Sequence, residues 1–102
     1  MASSTACETV KSWLRANALR LGLKELRFEH SEEPATFGAV YELPGYLIGV
    51  RAWDNASCLD IDVLEARSKT AQLLCAGPCA GDAELLARLQ KLETWVAERP
   101  GI

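Results

Sequence analysis

The chain has 102 residues, 49% of them apolar and 25% charged, with a formal charge of −3. This is the composition of one globular domain: too apolar for a disordered chain and too short for two separate cores. The acidic balance disfavours nucleic acid, whose phosphates dominate its binding, and no apolar run nears the ~18 residues needed to cross a bilayer.

The opening residues, Met-Ala-Ser-Ser-Thr, lack the basic and apolar regions of a secretory leader, so a cytoplasmic location is expected. Thr5-Ala-Cys-Glu8 has the form of a capping box, in which side chains satisfy the free amides of a helix start. Val10, Trp13, Leu14, Ala18 and Leu21 follow at helical spacing as one apolar stripe. Gly22 is placed to end that helix in a left-handed conformation.

From residue 23 the period changes to two. Leu26, Phe28 and His30 alternate with Arg27 and Glu29 in a first strand, and Ser31-Glu-Glu-Pro34 reads as a polar turn. Phe37, Ala39, Tyr41 and Leu43 share one face of a second strand, closed by Pro44-Gly45. Residues 46–53 make a third strand that is apolar on both faces, and Asp54-Asn-Ala-Ser57 is a short hairpin loop. In the fourth strand Leu59, Ile61 and Val63 oppose Asp60 and Asp62, and Thr70 to Cys75 make a fifth. After the break at residues 76–81, Asp82 is expected to cap a second helix. Its stripe is Leu85, Leu86, Leu89, Leu92 and Val96, with Trp95 at the edge and Arg99-Pro-Gly as its end.

The expected fold is α+β: a two-layer, single domain over residues 1–102 with order α-β-β-β-β-β-α. An antiparallel meander sheet is covered on one face by two helices. The face with Leu59, Ile61 and Val63 lies under the helices, and the face with Asp60 and Asp62 is left for water or a partner.

Charge is sorted along the chain. Residues 1–27 carry +3, residues 28–66 carry −7 and residues 67–102 carry +1. The middle stretch holds eight acids against Arg51 alone, so the sheet is expected to have a strongly negative potential that attracts a basic partner. Glu42, Asp54, Asp60, Asp62 and Glu65 are the candidate acidic contacts. Tyr46, Arg51 and Trp53 beside them are the residue types that dominate binding hot spots.

Catalytic machinery is sparse. His30 is the lone histidine and shares strand parity with Leu26 and Phe28, which fits a core-edge position better than a general base. Asp60-Ile-Asp62 provides at most part of a metal shell, and no P-loop, GxGxxG or HExxH is present. Cys58, Cys75 and Cys79 are loosely compatible with zinc ligation, but no CxxC occurs, so reduced structural thiols are the better reading. Neither catalysis nor a cofactor nor a metal is expected.

The segment Arg51-Ala-Trp53-Asp-Asn-Ala-Ser-Cys-Leu-Asp60-Ile-Asp62-Val-Leu64-Glu65-Ala resembles the central signature of the TriTu-type immunity proteins. These small bacterial antitoxins are paired with contact-dependent growth-inhibition and other polymorphic toxin systems. The plan also resembles theirs: an opening helix with a Trp, a meander and a closing Leu-rich helix. The cysteines and the 76–81 insert stand outside the resemblance. It implies a protein-binding role: the chain would bind a cognate toxin domain, basic and in the name-giving case a tRNA-cleaving nuclease. Elongation factor Tu would be engaged only indirectly, through that toxin. On this reading Glu42, Asp54, Asp60, Asp62 and Glu65 pair with the toxin's Lys and Arg, and Trp53 or Tyr46 anchors the centre. Other readings stay open: a type III secretion chaperone, which dimerises through a helix and strand, another small adaptor, or a zinc-binding regulator.

Overall fold

The computed structural model describes residues 5–32 and 35–99. It holds α1 (Ala6–Asn17), β1 (Lys24–Glu32), β2 (Ala35–Leu43), β3 (Tyr46–Trp53), β4 (Cys58–Glu65), β5 (Thr70–Cys75) and α2 (Asp82–Ala97). A single turn of 3-10 helix over Asn55–Ser57 joins β3 to β4. The five strands pair in chain order, every pair antiparallel, as an open meander. Of the expected punctuation, Glu33-Pro34 and Pro100-Gly101 lie outside the described residues.

The start of α1 forms the Thr5 half of the expected capping box. The Thr5 hydroxyl accepts a hydrogen bond from the Glu8 amide at 3.2 Å. Regular helix ends at Asn17, and one further turn closes in two bonds: Leu23 N–H to Ala18 C=O at 2.9 Å and Gly22 N–H to Leu19 C=O at 3.1 Å. This 6→1 and 5→2 pair is a Schellman closure, and Gly22 provides the left-handed residue it needs, at φ +76°. Helix α2 starts differently from expectation. Gly81 is its N-cap and Asp82 its first residue, without a side-chain cap. Glu84 instead reaches back, its carboxylate accepting the Ala80 N–H at 2.7 Å, and this bond lowers its pKa.

Strand alternation sends Phe37, Ala39, Tyr41, Leu43, Ile48, Val50, Ala52, Leu59, Ile61 and Val63 into one core beneath both helices. From above come Val10 and Leu14 of α1, and Leu85, Leu89, Leu92 and Trp95 of α2. The face of α2 is therefore rotated from the expected one. Leu86 is 44% exposed and Trp95 is buried. Its ring meets Tyr46 edge-on at 4.9 Å, and the Arg99 guanidinium stacks 3.7 Å from the indole centroid. Burying an aromatic gains more than burying a leucine, and the edge-to-face pair and stacked cation add to it.

Two ladders slip by one residue: β1–β2 at Leu26 and β4–β5 at Leu74. The helix layer stops short of β1, which is exposed along nearly its whole length. His30 is accordingly exposed rather than at a core edge.

Candidate functional site

Cross-strand registers fix which side chains share the uncovered face. Row by row they are Lys24, Glu42, Leu47, Leu64 and Ala71; then Arg27, Val40, Gly49, Asp62 and Leu73; then Glu29, Gly38, Arg51 and Asp60; then Ser31, Thr36, Trp53 and Cys58. An exposed antiparallel face is ordinarily polar. This one has Val40, Leu47 and Leu64 half-buried in its first two rows, with Leu73 62% exposed near them, and Trp53 half-buried in its last row.

Glycine shapes the middle of the face. Gly38 lies opposite Arg51, and Gly49 lies between Val40 and Asp62. A Cβ at Gly49 would stand 2.6 Å from Asp62 Oδ1, so the carboxylate lies across the bare backbone. Missing side chains leave two adjoining hollows of about 210 and 360 Å³ that share Glu29, Gly38 and Arg51. Trp53 walls the larger one and also a third, mostly apolar hollow of about 430 Å³ formed with Asn55, Cys58, Asp60, Ala76 and Gly77.

The eight residues singled out from sequence divide into two groups. Glu42, Arg51, Trp53, Asp60 and Asp62 share the open face, with Arg51 directly opposite Asp60. Tyr46, Asp54 and Glu65 do not. Tyr46 is on the helix side, edge-on to Trp95 and under Arg99, so it cannot anchor the centre of the open face. Glu65 is opposite Tyr46 and shares its side of the sheet. Asp54 follows β3, and its Oδ1 accepts the Cys7 N–H at 2.9 Å, holding the first turn of α1. A carboxylate at a helix N-terminus satisfies an orphan amide and complements the helix dipole.

Asp60 and Asp62, equivalent in sequence, also differ. Asp60 is half-buried, and its Oδ1 accepts the Gly77 N–H at 3.0 Å, anchoring the loop before α2. Gly77 has φ +93°. Arg88 grips the same loop from α2, donating to the carbonyls of Ala76 (2.9 Å), Gly77 (2.8 Å) and Pro78 (2.9 Å). Asp62 is exposed, and among the described residues its carboxylate accepts no hydrogen bond.

The one-signed field expected from the segment charges therefore does not fall on a single face. Four acids of the middle stretch (Glu29, Glu42, Asp60, Asp62) lie on the open face, where Lys24 and Arg27 of the basic first stretch and Arg51 join them. Arg27 and Glu29 pair at 3.3 Å. Over β2–β4 alone the balance is three acids to one base.

The thiols are structural in their surroundings. Cys7 Sγ donates to the carbonyls of Ala35 and Ala52, both at 3.5 Å. Burial, then the nearby Asp54 carboxylate, pushes its pKa up to about 12. Burial also raises Cys75 and Cys79, against the opposing pull of the Arg88 charge. Cys7, Cys75 and Cys79 are free thiols, and among the described residues no three His, Cys, Asp or Glu side chains gather as a metal site.

Val40, Leu47, Leu64, Leu73 and the two strand glycines were not singled out from the sequence. Their signal was present: strand 46–53 is apolar on both faces, and glycine inside a strand marks close approach of another group. Comparison with protein-family models, curated proteins and solved structures finds no match for this chain.

Proposed function

We propose that this chain is a protein inhibitor of the immunity type, which neutralises a cognate toxin domain by docking it on the open face of the sheet. One observation carries the reading. An uncovered sheet face has Leu47, Leu64 and Leu73 in neighbouring rows, with Trp53 and Arg51 beside glycine-floored hollows. Apolar groups left uncovered together with an aromatic, an Arg and charged neighbours have the make-up of a protein interface. A solvated sheet face needs none of them.

The partner's chemistry follows from the charges between the hollows. Glu42, Asp60 and Asp62 outnumber Arg51 on β2–β4, so this part of the face favours a partner with Lys and Arg opposite. A nuclease has such groups in its substrate groove, in keeping with the resemblance of residues 51–66 to the TriTu-type proteins. Any link to elongation factor Tu would run through the toxin. Asp62 is the clean electrostatic contact, because Asp60 also holds the chain's own loop.

Affinity capture from the native host tests the proposal, with wild-type, Asp62→Lys, Trp53→Ala and Lys11→Glu proteins as parallel baits and a salt gradient for elution. The expected result is a basic domain retained by wild type and by Lys11→Glu, a helix-side control, and lost or eluted earlier with both open-face variants. Equal retention by all four baits would place the interface elsewhere. A retained partner that is acidic and insensitive to salt would refute the charge argument.

A further inference from the structure

We infer that β1 is a self-pairing edge through which two copies of the chain join as an antiparallel, two-fold dimer. The inference does not rest on the function proposed above, since it uses the edge strand and leaves the open face of β2 to β5 uncovered. A strand at the end of an open sheet presents backbone N–H and C=O groups to any extended segment that fits. The two edges of this sheet differ in what they offer. β5 spans six residues, Thr70–Cys75, carries no charge and slips in register at Leu74. Nothing in it distinguishes one pairing from another. β1 spans nine residues, is exposed along nearly its whole length and is densely charged.

The order of those charges is self-complementary. Turn a second copy of β1 about a two-fold axis through Phe28, and Arg27 of each copy lies opposite Glu29 of the other. Arg27 and Glu29 both point to the open face, 70% and 66% exposed, so the pairs form on one side of the joined sheet. On the other side the two Phe28 rings meet at the axis. Each ring is 37% exposed, held edge-on against Phe37 at 5.1 Å with Arg15 5.7 Å away.

Alternative registers are penalised. A shift by two residues one way sets Arg27 against Arg27, and the other way sets Glu29 against Glu29. Like charges directly opposite destabilise a strand pair. A shift by one turns the open face of one copy to the helix side of its partner, and Phe28 then faces Arg27 or Glu29. Charges on an edge strand also repel unrelated strands. Here the same charges admit one partner, a second copy, in one register. An isologous contact of this kind closes on itself, so assembly stops at the dimer. The joined sheet has ten strands and presents both open faces on one side. A lone strand pair buries much less than the roughly 1,600 Å² of a standard interface, so the dimer forms at high protein concentration.

Sedimentation equilibrium from about 10 µM to about 1 mM tests this, with circular dichroism to show that each variant is folded. Wild type is expected to rise from the mass of one chain towards two. Arg27→Glu sets Glu against Glu twice across the axis and should weaken dimerisation by at least about tenfold. The double variant Arg27→Glu/Glu29→Arg reverses both pairs and should restore the wild-type association. A wild-type chain that stays monomeric over the whole range overturns the inference. So does a dimer indifferent to Arg27→Glu, or one that the double variant fails to restore.

Discussion

Asp60→Ala and Asp62→Ala separate two carboxylates that the sequence presents as a matched pair. Asp60 accepts the Gly77 N–H at 3.0 Å. That bond holds a loop that is also tied by Leu59 N–H to Gly77 C=O at 3.1 Å and by Cys79 N–H to Ser57 C=O at 2.9 Å. A hydrogen bond to a charged acceptor contributes about 1.5–3 kcal/mol, and the half-exposed setting of Asp60 points to the lower end, about 1.5 kcal/mol. For a domain of this size each kcal/mol moves the melting temperature by roughly 4–8 °C, so Asp60→Ala should melt about 6–12 °C below wild type. Asp62 lies exposed over Gly49, and its truncation should change stability by less than about 0.5 kcal/mol. Thermal melts followed by circular dichroism, checked by urea titration, measure both. Equal melting temperatures for the two variants, or a larger loss in Asp62→Ala, would refute the assignment of Asp60 as the loop anchor. The distinction governs any binding experiment. Reversing both acids together mixes a folding defect with a charge effect, whereas Asp62 alone probes the proposed interface.

Two further outcomes follow from the packing and the buried thiol. Leu89→Ala should cost about 3 kcal/mol, because the side chain is wholly buried, and Leu86→Ala less than about 1 kcal/mol, because it is 44% exposed; urea midpoints compare them. The Cys7 thiol, raised from 9.0 to about 12, is protonated in both folded and unfolded chains below pH 9 and contributes no pH dependence there. Above pH 9 the unfolded chain releases its proton while the folded one keeps it, so stability is lost as pH rises towards 12. Urea midpoints between about pH 8 and about pH 10.5 should therefore fall more steeply for wild type than for Cys7→Ala, and parallel slopes would contradict this.

The elements themselves were legible because each rests on local signals. The Thr5–Glu8 box, the period-two runs and the glycines at 22 and 45 act over a few residues, and the helices and meander follow from them. What sequence alone could not order is set by contacts across long separations. Asp54 bonds the amide of Cys7, 47 residues away. Tyr46 stacks on Trp95 rather than facing a partner. In α2 five apolar positions crowd nearly half the helix, so periodicity does not choose between Leu86 and Trp95. Tyr46 and Arg99 decide it. The charge pattern shows the same limit. Strand alternation and turns distribute the described acids of residues 28–66 over two faces and a helix cap, and β1 brings Lys24 and Arg27 onto the face those acids were expected to dominate. The segment charge was a correct count, but strand parity decides which face receives it.

The central claim is that the open sheet face inhibits a toxin, and growth rescue tests it most directly. The basic domain recovered by affinity capture is expressed in bacteria with wild-type chain, Asp62→Lys or Trp53→Ala, each variant first shown to keep its fold. Growth arrest by the domain alone, rescue by wild type and failed or weakened rescue by both variants is the predicted result. A domain that is harmless alone, or full rescue by both variants at equal expression, would contradict it.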